Sequence, residues 1–126
     1  MAASRRAVTV GWVISILVSL LFVFSASMKF VGGPEFAKGM EHLELTNKIP
    51  VIPLAILELT CVAVYLVPPT SVLGAILMAG YVGGIVLTHW RVGDPVYIPI
   101  ALGLCLWLGL YLREDRLKPL IPIRKL

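Results

Sequence analysis

Four stretches of this chain are almost free of charge, and each is close to the length of a membrane crossing. The first, residues 7–28, holds 22 residues without a formal charge. As a helix rising about 1.5 Å per residue it would extend roughly 33 Å, enough to cross a hydrocarbon core of about 30 Å. Arg5 and Arg6 precede it. A secretory signal has an apolar region of only about 7–15 residues, so this segment is read as a retained helix. The second stretch, residues 49–67, contains a single charge, Glu58. Pro68-Pro69-Thr70-Ser71, a tight turn, separates it from the third, residues 72–89. The fourth, residues 95–112, holds 18 uncharged residues.

Composition agrees with these runs. Of 126 residues, 59% are hydrophobic and 14% charged, whereas a soluble domain carries about 25% charge to face water. The length suits a single domain, residues 1–126. The expected fold is therefore all-α: an integral membrane bundle of four transmembrane helices, with the lipid bilayer as its main surroundings. Between the first and second spans, Gly32-Gly33-Pro34 breaks the helix and Pro34-Glu35 suits a new start. Phe36, Met40 and Leu43 then recur at helical spacing among charged residues, predicting a short amphipathic helix at the membrane surface.

Orientation follows the lysines and arginines. An even number of spans leaves both termini on one side, with Arg5, Arg6, Arg113, Arg116, Lys118, Arg124 and Lys125, the last five in a basic tail at residues 113–126. The opposite side has Lys29, Lys38, Lys48 and Arg91. The excess predicts that both termini face the cytoplasm, and the expected setting is a bacterial cytoplasmic membrane, crossed more than once. The net charge of +4 resides in these flanks and tail, so nucleic acid is not an expected partner.

Glu58 is the most informative single residue. A bare carboxylate that deep must pair, protonate or face a wet cavity. Lys29, at the end of the first span, and His89 and Arg91, at the end of the third, lie on the same side, which predicts one polar intramembrane network of Glu58, Lys29, His89 and Arg91. Leu54, Glu58, Cys61 and Tyr65 share one helical stripe, and Tyr81, Gly84 and Thr88 another. Facing each other, with Ser25 from the first span, they would make a small pocket lined by Ser25, Cys61, Tyr65, Tyr81 and Thr88. The plainer alternative is that a lysine–glutamate pair only locks two helices in register. Asp94-Pro95 reads as an N-cap with proline in the first turn of the fourth helix. Helix association in lipid relies on small residues, for which Gly74, Gly80, Gly83, Gly84, Cys105 and Gly109 are candidates.

Several chemistries lack their residues. There is no glycine-rich phosphate loop, no Ser/His/Asp arrangement and no paired-cysteine motif. Cys61 and Cys105 each sit in an apolar run and read as small hydrophobes. His42 and His89 lie in different segments, so no metal site is expected.

Three motifs carry a family likeness. Leu21-Phe22-Val23-Phe24-Ser25 followed by Met28-Lys29-Phe30 closes an apolar helix with lysine. Ile56-Leu57-Glu58-Leu59 leads to a Leu66-Val67-Pro68 exit. Thr88-His89-Trp90-Arg91-Val92-Gly93-Asp94-Pro95 contains a His-x-x-Val-Gly-Asp-Pro loop, the most specific of the three. Together they resemble the DoxX-like family of small four-helix membrane proteins, over residues 8–112. The same motifs are similar to those of the membrane chaperone NACHO. The resemblance implies a helical membrane protein, in relatives linked to sulfur oxidation, quinone reduction or oxidative-stress complexes, alongside a protein partner. Three readings follow from it: an accessory subunit of a redox or quinone-linked membrane complex, which is favoured; a chaperone or scaffold; and a small intramembrane enzyme or binder of an apolar ligand. The cofactor is open, with quinone or another apolar ligand as candidates, and so is enzymatic activity. A protein partner or a homo-oligomer is expected.

Overall fold

The computed structural model describes residues 4–126, and they are helical, with no strand among them. In chain order the α-helices are α1 (Arg5–Val31), α2 (Pro34–His42), α3 (Val51–Leu66), α4 (Ser71–Arg91) and α5 (Tyr97–Arg113). The short helix expected between the first two apolar runs is present as α2, with Pro34 at its start and Glu35 in its first turn. Pro68–Thr70 forms a 3-10 turn between α3 and α4.

α1 exceeds its apolar run at both ends. Ser4 caps it by accepting a hydrogen bond from the Ala7 amide at 3.1 Å, and Lys29 lies in its last turn. It stops at Gly32 and Gly33, whose φ angles of 69° and 102° favour glycine. α1 and the segment Pro68–Arg91 are long and apolar enough to cross a membrane, while α3 and α5, with 16 and 17 residues, are apolar but shorter.

The start of α5 corrects the expected cap. The helix begins at Tyr97, Val96 occupies the N-cap position, and no side chain caps it. Asp94 lies three residues before the helix, and its carboxylate is held by two histidines instead. The proline in the first turn is Pro99, not Pro95; it is tolerated there because first-turn amides need no intrahelical partner.

Four helices form a ring: α1 packs against α3 and α5, and α4 closes against the same two. The ring depends on close backbone approaches. A Cβ on Gly74 would lie 2.2 Å from Tyr65 Cα and N, and one on Gly11 would lie 2.7 Å from the Gly109 carbonyl oxygen. Polarity is reversed relative to a protein built for water. Ser15, Ser19, Glu58 and Ser71 are buried beside Phe22, Tyr65, Met78 and Leu106. Leu17, Leu20, Phe24, Ile56, Leu73, Ile76 and Leu104 point outward and are exposed. Such an exterior suits hydrocarbon, and the polar interior supplies the contacts that lipid cannot displace.

Candidate functional site

At its α2 end the ring opens into a cavity of about 450 Å³. Lys29 lines it and is held in an ion pair with Glu58 behind the wall. Lys29 Nζ donates to Glu58 Oε2 at 2.8 Å and to Ser25 Oγ at 2.8 Å, with a longer contact to the Ser25 carbonyl at 3.4 Å. The Glu58 side chain is 1% exposed and that of Lys29 14%. Lys29 can reach Glu58 because it lies in the last turn of α1 and its aliphatic stem runs back along the helix. The Tyr81 ring of α4 stands 6.0 Å from the ammonium and packs against Phe22 with ring centroids 5.8 Å apart. The acid is therefore compensated without leaving the bundle, the condition for burying a carboxylate.

The rest of the wall is mostly apolar. Phe36 and Met40 of α2, Leu43 beyond it and Leu54 of α3 supply the hydrocarbon, while Ser25, Lys29, Tyr81, Thr88 and His89 supply the polar groups. An apolar enclosure of this volume with a few converging donors is the usual form of a small-molecule site.

The rim holds a second cluster. His42 Nε2 lies 2.7 Å from Asp94 Oδ1 and 2.9 Å from Oδ2, and His89 Nδ1 lies 3.1 Å from Oδ2. Hydrogen bonding from His42, and next from His89, holds the Asp94 carboxyl below its usual pKa. Gly93, with φ 82°, turns the chain back so that the Asp94 amide also donates to the His89 carbonyl at 3.0 Å. Beside them Arg91 donates to Glu44 at 3.3 Å and to the Leu43 carbonyl oxygen.

These contacts divide the expected network. Lys29 and Glu58 meet, whereas His89 and Arg91 are directed to Asp94 and to the Leu43–Glu44 turn. The loop reversal at Gly93 places an acid nearer to His89 than Glu58 is. Of the five expected lining residues, Ser25, Tyr81 and Thr88 line the cavity. Cys61 and Tyr65 are buried in the core instead. Residues 54, 58, 61 and 65 share a face of α3 but not a depth: eleven residues of helix separate the ends of that stripe by about 16 Å.

Tyr65 belongs to a network at the opposite end, which the sequence reading missed. Its hydroxyl donates to the Leu106 carbonyl oxygen and lies 3.1 Å from Ser15 Oγ. Arg113 donates through Nε to Ser15 Oγ at 2.9 Å, through Nη1 to Ser71 Oγ at 3.1 Å and through Nη2 to the Tyr65 carbonyl at 2.9 Å. Its guanidinium also lies 4.2 Å from the Trp12 ring centroid. One side chain thus ties together α1, α3, α4 and α5. The available signal was a serine in an apolar run paired with an arginine just past another, read only as flank charge.

No curated protein and no solved structure matches the chain, so the likeness to NACHO drawn from its motifs is not shown. The family model described as the DoxX-like family matches residues 13–110, a region that holds Lys29, Glu58, His89, Asp94 and the whole cavity wall. On that match and this helical architecture, the chain belongs to the DoxX-like family of membrane proteins.

Proposed function

We propose that this protein crosses a bacterial cytoplasmic membrane four times, with both termini in the cytoplasm, as a single domain, and holds a quinone or similar head-bearing apolar lipid in its cavity as an accessory subunit of a redox-linked complex. The observation that carries the reading is the cavity itself, a mostly apolar enclosure whose wall also carries Lys29, Tyr81, Thr88 and His89. A long apolar tail suits its walls and the bilayer around them, and a carbonyl or hydroxyl head suits the polar groups in its wall. Four crossings are supported by the apolar outward faces of α3 and α5, which alternate in the ring with the two longer helices. The excess of basic residues beside the termini supports the orientation. Lys29 orients the head, and Glu58 keeps the lysine in place and its charge compensated.

The experiment is native mass measurement of the full chain purified in mild detergent, followed by extraction and identification of what it retains. A quinone held by the native protein, and lost from Tyr81→Leu and Thr88→Val variants that still melt normally, supports the reading. A protein that retains no lipid and binds no added ubiquinone-2 overturns it. Stoichiometric recovery of a protein partner, with no lipid in either, favours the scaffold role instead.

A further inference from the structure

We propose that α2 is a movable lid over the cavity, hinged at Gly32-Gly33 and latched by His42 on Asp94. The inference rests on the cavity being a ligand site and adds how that site is opened. α2 supplies Phe36 and Met40 to the cavity wall, yet none of its own residues is buried. It does not share the close backbone packing that joins the four ring helices. Its attachment is concentrated at one end. There His42 meets Asp94, and Arg91 grips the Leu43 carbonyl and Glu44 just beyond the helix.

The other end is built to turn. Gly32 and Gly33 both have positive φ, and a Cβ added at either would meet nothing within 4 Å. They are glycines for backbone conformation, not for space. Past the latch, Glu44 and Asn47 adopt φ of 58° and 60°, so the helix is set between two sharp turns. A short helix with a turn at each end and its polar anchors at one end matches the arrangement of hinged closures over binding sites. His89 joins latch to cavity, since it touches Asp94 and also lines the wall.

The test reads access to the cavity directly, without a ligand. In full-length protein carrying Cys105→Ser and Ile85→Cys, N-ethylmaleimide labelling is followed by peptide mass at residue 85, which lines the cavity, and at Cys61, which is buried and reports loss of the fold. Asp94→Asn and His42→Ala should each speed labelling at residue 85 about ten-fold, the response to losing one charge-assisted contact. Cys61 should stay unlabelled. The exchanged pair His42→Asp with Asp94→His should slow residue 85 again. Unchanged labelling at residue 85, or acceleration of both positions together, overturns the lid. Ubiquinone-2 binding to the unaltered protein is measured alongside. If residue 85 responds and ubiquinone-2 does not bind, the lid stands and the quinone reading falls.

Discussion

Arg113 and Tyr65 meet twice: the guanidinium donates to the Tyr65 carbonyl at 2.9 Å and lies 4.8 Å from the centroid of its ring. The planar fork makes both contacts while its other nitrogens reach Ser15 and Ser71. A lysine has the charge but not the fork. Arg113→Lys is therefore expected to lower stability by about 1.5–3 kcal/mol, the range for hydrogen bonds made by a charged group. A thermal melt in detergent checks this, and an unchanged midpoint would show that the four-way tie is idle.

Lys29 and Glu58 should behave as a unit. Breaking a buried pair from one side strands a charge and costs about 3–5 kcal/mol, whereas removing both charges costs much less. Lys29→Met and Glu58→Gln are each expected to be strongly destabilising, with the double variant recovering at least half of the loss. A double-mutant cycle by detergent unfolding measures the coupling, and strictly additive losses would mean that the two charges are independent.

Glycines on α4 should divide sharply under substitution. Gly74→Ala drives a Cβ into the backbone of α3 and is expected to cost at least about 1–3 kcal/mol, as overpacking does. Gly80→Ala meets open space and should be neutral, or stabilising by up to about 1 kcal/mol through helix propensity. Paired melting curves read the contrast.

Acid should release the latch. Because the pKa of Asp94 is depressed in the folded protein, its contribution is present above the ordinary carboxylate value of 3.8 and is lost as pH falls through the lowered one. The charges that share this end are Lys38, Glu41, Glu44 and Lys48 from α2 and its following loop, His42 and His89 on Asp94 itself, and Arg91. With thiol reactivity corrected against a free-cysteine peptide, labelling at residue 85 should rise below that range. Asp94→Asn should already be fast at neutral pH and lose the response. A Glu44→Gln control removes the acid that holds Arg91, and the acid response should survive it.

Much of this arrangement was legible in the order of residues. The apolar runs located α1, α3, α4 and α5, since lengths of uncharged sequence translate directly into helix. The stranded acid at 58 announced that it needed a cation, and Lys29 was the one whose stem could return along its own helix. Depth was harder to read. Periodicity reports a face, so Tyr65 was grouped with Glu58 although it belongs to the far end of α3. Asp94 departs from its local pattern for a related reason. Local pattern suggested a cap, but a histidine 52 positions earlier claims its carboxylate, and no local signal encodes that distance. Of the small residues expected at helix contacts, Gly74 and Gly109 do make tight approaches, joined by Gly11, while Gly80, Gly83 and Gly84 meet open space, because which face meets a neighbour is decided by the assembled ring.

The ring alternates long and short helices, with α3 and α5 on opposite sides between α1 and α4. α1, with 27 residues, is about 40 Å long, while α3, with 16, is about 24 Å. In the proposed four-crossing arrangement, such unequal lengths call for tilt of the long helices and local thinning of the bilayer beside the short ones. Head groups and water would dip beside α3, the helix that carries Glu58. Membrane thickness thus becomes a variable acting on the ion pair: thicker lipids would strain the short flanks, and thinner ones would relax them.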